Sequence, residues 1–253
     1  MDDESQKMSS AYDMPTSSSE DENPNNKYSI HFSERSIRQA FIRKVFTLVT
    51  IMLLVVTAFC IIPMVSQSFR EWVQGAIWLY IVSIIVFLSF SIALTCFPAL
   101  RRSFPTNIIL LSIFTLSAAA MTMFITAYYN VQSVLICLCI TSVCSGGIIV
   151  FSINTKHDLT SKIGIIFILS LIVISFGLFT LIFTLFVQWY WLNSVYAGLA
   201  AFLMMIYLAL DIQMLMGGRK LELSPEEHVF AAMQIFLDIL NIFLLLLQIF
   251  GKR

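Results

Sequence analysis

The stretch "AAMQIFLDILNIFLLLLQIF", Ala231 to Phe250, decides how the chain is read. It has the length of a membrane-spanning helix, which needs about 20 apolar residues to cross a hydrocarbon core of about 30 Å. Asp238 sits in its middle. A charge at the centre of an inserted helix costs roughly 2.5–3.5 kcal/mol, so a helix that keeps one has a use for it. Gln234, Asp238 and Asn241 follow the spacing i, i+4, i+7, which places them on one face. The opposite face is Ile, Leu and Phe. Such a polar stripe is expected to face a bundle interior or water rather than lipid, and this predicts a buried central helix.

The rest of the chain agrees with a membrane setting. Of 253 residues, 58% are hydrophobic and 12% charged. An average soluble domain is about 45–50% apolar and about 25% charged. Seven blocks are long enough to span: 45–65, 75–97, 108–128, 131–153, 163–186, 194–216 and 229–250. They are too long for strands, and backbone polar groups in lipid must be satisfied within the segment. The fold class is therefore all-α and integral to the membrane, with seven transmembrane helices. Residues 1–35 read as a disordered, acidic, Ser-rich cytoplasmic tail, and 36–253 as the membrane domain.

Eleven basic residues, counting Lys27, flank the helices on one side. All but Lys27 lie in "RSIRQAFIRK", "LRRSFPTN", "NTKHDLTSK" and "GGRKLELSPEEH". Arg70, Lys252 and Arg253 fall on the other side. This bias predicts a cytoplasmic N-terminus and a lumenal or outside C-terminus. The start, "MDDESQKMSS", is acidic and polar, so no cleavable signal peptide is expected.

Among the acidic residues, only Asp211 and Asp238 fall inside apolar blocks. Asp211 lies roughly 7 Å inside the basic boundary of its helix and Asp238 roughly 14 Å inside the next. The two helices are antiparallel and joined by a short loop, so both carboxylates are reached from the same side. Modest tilt brings them level. Two carboxylates in a low-dielectric site cannot both ionise cheaply, so a close pair would share a proton or take up a hard cation such as calcium. Arg101 and Arg102 sit on the correct side to neutralise one member.

Other features read as structural. Ser145, Gly146 and Gly147, and Ala197 to Ala201, are small-residue patches suited to helix contact. The five cysteines read as apolar packing residues, with no metal spacing. Trp189, Tyr190 and Trp191 form an aromatic belt, and Pro63 is expected to end or kink the first helix. Ser224, Pro225 and Glu227 read as N-cap, N1 and N3 of the last helix. There is no phosphate-binding loop, dinucleotide glycine pattern or HExxH, so neither an enzyme, a cofactor nor a nucleic-acid partner is expected. A receptor of the G-protein-coupled type fits the helix count but not the charge bias. An intramembrane aspartyl protease would want glycine after its aspartates, which "LALDIQM" and "FLDILN" lack.

Five ordered stretches resemble one family. They are "IRQAFIRKVFTLVT", "RRSFPTNIILLSIFTL", "FSINTKHDLTSK", "LALDIQMLMGG" and "SPEEHVFAAMQIFLDILNIFLLLLQIFG". The chain from Ser36 onward is similar to the transmembrane BAX inhibitor motif family, most closely its lifeguard branch. That resemblance implies six helices around a central seventh and a pH-sensitive aspartate pair at Asp211 and Asp238. It also implies an arginine latch to the first aspartate, carried by Arg101 or Arg102. Its function would be calcium leak from internal stores, in endoplasmic reticulum or Golgi, with suppression of cell death. By the same resemblance calcium would be the transported ion, and death-receptor or Bcl-2-type regulators the partners. Two departures stand out. The tail is short and acidic rather than long and Pro/Gly/Tyr-rich, and Leu210 stands where the family usually has Tyr.

Overall fold

A computed structural model describes residues 24–187 and 190–252, with side chains from 35 to 186 and from 191 to 252. All regular structure among them is helical. The long helices are α1 (Pro24–Val65), α3 (Ile77–Cys96), α5 (Thr106–Thr126), α6 (Val131–Asn154), α7 (Ile163–Val187), α8 (Tyr190–Met216) and α9 (His228–Phe250). Two short helices join them, α2 (Gln67–Gly75) and α4 (Pro98–Arg102). Seven helices are long and apolar enough to cross a membrane, in agreement with the seven blocks.

The chain divides into a segment up to Ile37 and a body from Arg38 onward. The expected tail, 1–35, lies mostly outside the described residues, and α1 begins at Pro24, inside it. Trp189 also lies outside them, while Trp191 is exposed. Helix α1 runs two residues past Pro63 before Ser66 caps α2 by accepting from the Phe69 N–H.

Helix α9 is the centre of the body. It buries 61% of its apolar window, against 50% or less for the six other spans. Its side chains enter two core clusters at once. Met233, Phe236, Leu240, Phe243 and Leu247 pack with Met52, Val56, Leu111, Phe114 and Cys137. Ala231, Ala232, Ile235, Ile239, Ile242 and Leu246 pack with Phe41, Val45, Val49, Leu208, Ile212 and Leu215. Lipid tails are as apolar as leucine, so these contacts hold by close packing rather than by escape from water. Phe114 meets Phe236 edge-on, with ring centroids 5.9 Å apart.

The outer helices show the complementary pattern. On α3, Ile77, Ile81, Ile85, Leu88 and Ile92 are all exposed at helical spacing, as a lipid-facing stripe requires. The alanines at 197, 200 and 201 are buried, as expected of a contact patch. The glycine patch is different. A Cβ at Gly146 or Gly147 would meet open space, so those glycines face outward and only Ser145 of that patch is buried. Cys60 and Cys137 are buried packing residues, whereas Cys96 and Cys139 are exposed.

The last helix crosses the whole body. Its start meets the basic residues of α4, and its end meets the α5–α6 turn. There the Asn130 N–H donates to the Lys252 carbonyl at 2.9 Å. The Lys252 N–H donates to the Ser133 hydroxyl at 3.1 Å. At that far end Arg70 and Gln74 of α2 donate to the carbonyls of Ala127 and Tyr129, closing the C-terminus of α5. The opposite end, which carries the remaining described basic loops, is called the basic end below.

Candidate functional site

Asp211 and Asp238 meet. Asp211 sits five residues before the end of α8, and Asp238 ten residues into α9. Both are buried, at 6% and 8% exposure. Their carboxyl groups are close enough to interact, so the unequal depths read from the sequence do not keep them apart. Asp238 Oδ2 is buried without a hydrogen-bond partner among the described residues. Two carboxyls this close in a buried site repel each other less when one carries a proton. A hard cation between them is the alternative.

The neighbours on the stripe are less enclosed. Gln234 and Asn241 are half-buried, together with Leu237, Leu244 and Leu245 on the same side of α9. The stripe thus lies along the more open side of the central helix, and Asp238 lies at its buried edge.

The basic end is tied together by polar contacts around the α8–α9 turn. Gly217 and Gly218 both take positive φ, +73° and +72°, and end α8 as left-handed caps. The guanidinium of Arg38 lies against Gly217, where any Cβ would collide with it. Arg38 Nη1 donates to the Leu223 carbonyl at 2.7 Å, and Nη2 pairs with Glu222 at 2.7 Å. Two residues beyond Asp211, the buried Gln213 holds the α6–α7 loop. Its Nε2 donates to the His157 carbonyl at 2.9 Å, and its Oε1 accepts the Leu159 N–H at 2.8 Å. Arg219 donates to the carbonyls of Thr155 and Lys156 at the end of α6. Asp158 accepts from the Thr160 hydroxyl at 2.6 Å and from the Lys220 N–H. The Thr160 hydroxyl holds the Asp158 carboxyl below the usual carboxylate range.

Arg101 and Arg102 both engage Glu227. Each Nη2 lies 2.8 Å from Glu227 Oε1, and Arg102 Nη1 lies 3.7 Å from Glu226. Arg101 also lies over the Phe230 ring, 4.4 Å from its centroid. The ion pairs among the described residues include none to Asp211. The partner of the arginines in this arrangement is therefore the start of α9. Ser224 caps the 3₁₀ turn Pro225–Glu227 by accepting from the Glu226 N–H, and α9 follows from His228. Sequence reasoning did not single out Gln213 or Arg38, and it read Glu227 only as the N3 residue of the last helix, not as a partner of the arginines. The adjacent pairs "RR" and "EE" on same-side loops were the one available signal, and it concerned Glu227 alone.

Comparison with known proteins gives consistent relatives. The family described as "Inhibitor of apoptosis-promoting Bax1" matches residues 38–253. Protein lifeguard 3 of Mus musculus is 36% identical over 222 residues, covering 88% of this chain and 72% of the relative. Protein lifeguard 3 of Homo sapiens is also 36% identical over 222 residues, with 71% of the relative covered. Protein lifeguard 4 of Mus musculus is 31% identical over 212 residues, 84% of each chain. A multi-pass helical body, matched from Arg38 to the last residue, thus meets relatives aligned over most of both lengths: the chain belongs to the Bax1-inhibitor, or transmembrane BAX inhibitor motif, family and to its lifeguard group.

Proposed function

We propose that this membrane protein is a calcium leak pathway of internal membranes, gated by the Asp211–Asp238 pair and serving to restrain cell death. The observation that carries the reading is the buried contact between the two carboxyls, with one Asp238 oxygen left without a partner. A shared proton closes such a pair. Its loss leaves adjacent carboxylates that attract a divalent cation. Calcium takes 6–8 oxygens, more than two carboxylates supply, so the ion would pass as a weakly held, partly hydrated cargo. Endoplasmic reticulum or Golgi is the matching location, since a leak acts on a membrane that stores calcium. Proton control makes the leak depend on pH.

Purified protein in calcium-loaded liposomes should release calcium with a pH dependence that Asp211→Asn and Asp238→Asn both alter. Wild-type vesicles that leak no faster than empty ones would sink the reading. A second reading is a non-conducting regulator acting on death-receptor or Bcl-2-type partners. The membership of α9 in two core clusters favours it, as a helix-packing role requires. Cells protected equally by wild type and by the two Asp→Asn variants would select this second reading.

A further inference from the structure

Helix α6 carries five hydroxyl side chains, Ser133, Thr141, Ser142, Ser145 and Ser152. A hydroxyl on a helix in apolar surroundings ordinarily bonds the carbonyl one turn back. Thr141 donates to the Cys137 carbonyl at 2.7 Å and Ser142 to the Leu138 carbonyl at 2.8 Å. Ser133 accepts the Lys252 N–H. Ser145 and Ser152 differ: each hydroxyl is buried and has no hydrogen-bond partner among the described residues. Their exposures are 3% and 2%, so lipid and bulk water do not reach them. Buried polar atoms in folded proteins are almost always satisfied, by protein or by ordered water.

Their position relates them to the aspartates. Ile148 and Ile149 lie within one turn of both serines and pack on the cluster that includes Leu208, Ile212, Ile235 and Ile239. The serines therefore share the α6 face turned toward α8 and α9. The Gln213 bonds to His157 and Leu159 fix the register between α8 and the end of α6. Asp211, two residues deeper on α8, comes level with the last turns of α6, where Ser152 lies. Ser145 lies about 10 Å further from the basic end, seven residues along the helix. On α9, which packs against the same cluster as Ile148 and Ile149, Asp238 Oδ2 is likewise buried without a partner among the described residues.

We propose that Ser152 and Ser145 hold a file of hydrogen-bonded water that runs from the Asp211–Asp238 pair into the middle of the bundle. About three molecules at water–water spacings of about 2.8 Å span the distance. The hydroxyls and the free Asp238 oxygen supply the polar partners such waters need. The inference deepens the reading of the carboxylate site and rests on that site's geometry, not on calcium passage. The file extends the polar route beyond the pair on the side away from the basic loops.

The test is infrared difference spectroscopy on the full chain in liposomes, comparing ordinary water with water labelled by oxygen-18. Wild type should show isotope-shifted O–H bands of internal water. Ser145→Thr and Ser152→Thr should keep them, and Ser145→Val and Ser152→Val should lose them. Thr and Val have the same shape, so a packing defect strikes both while only the hydroxyl differs. Bands absent from wild type, or unchanged in both Val variants, overturn the proposal. If the bulkier variants do not fold, the wild-type spectrum alone decides. Calcium release is read separately on the same vesicles. Water bands in wild-type vesicles that do not leak would sink calcium conduction and leave the water file standing.

Discussion

Gly217 answers two demands at one position. Its φ is +73°, and the Arg38 guanidinium fills the space where a side chain would begin. Gly218 has nearly the same φ but open space around it. Gly218→Ala should therefore cost about 1 kcal/mol, the penalty for a left-handed alanine. Gly217→Ala should cost more, about 2–3 kcal/mol, because it also displaces Arg38 from Leu223 and Glu222. Thermal melts of the two variants in one detergent give the ordering. Asp158 offers a test by pH. Its carboxyl is held below the usual range, so its hold on Thr160 and Lys220 is present above about pH 4 and is lost as pH falls through the lowered value. Nicking of the 155–160 loop by an acid-active protease should rise across that fall in wild type, while Asp158→Asn should be nicked alike on both sides of it. At this scale the sequence revealed the aspartate pair, since carboxylates in apolar blocks are conspicuous. It did not reveal Gln213 or Arg38, whose partners lie 54 to 185 positions away and whose types are ordinary for helix ends.

Among the elements, the join between α4 and α9 is the clearest polar clamp. Arg101 and Glu227 keep only 11% and 14% of their side chains exposed, so a double-mutant cycle should return a coupling of about 1–3 kcal/mol. Arg102 and Glu226 are far more exposed and stand 3.7 Å apart, and their coupling should stay below about 1 kcal/mol. Phe236→Ala removes the ring that meets Phe114 and should lower stability by about 3–5 kcal/mol in a denaturation series. The long helices were legible because block length and hydrophobicity suffice to define a span. Helix α2 was not, because Gln67–Gly75 is short and polar and its order comes from Arg70 and Gln74 reaching the end of α5. The glycine patch on α6 misled for a related reason. Small size permits contact, but only the position around the helix decides which side is contacted, and Gly146 and Gly147 fall on the open side.

For the whole molecule, seven helices long and apolar enough to span would, if each crosses once, put the two ends of the body on opposite sides. Reporters fused ahead of residue 24 and after residue 253 should therefore read opposite compartments in a permeabilisation assay. The sequence pointed to α9 as central because the polar stripe of Gln234, Asp238 and Asn241 should avoid lipid; the helix is central, although Gln234 and Asn241 are only half-buried. The sequence did not show that α9 serves two clusters, since partners across a bundle leave no mark in a single chain's spacing. That double membership bears on how the protein is made. Both clusters count α9 residues among their members, so neither is complete until α9, the last helix made, is in place. Until the last span slides in, the nascent bundle presents the unfinished interior that membrane quality control exists to detect. Maturation should then be decided in one late step. Changes that slow the entry of α9 should lower the amount of protein made well before they alter what the finished protein does.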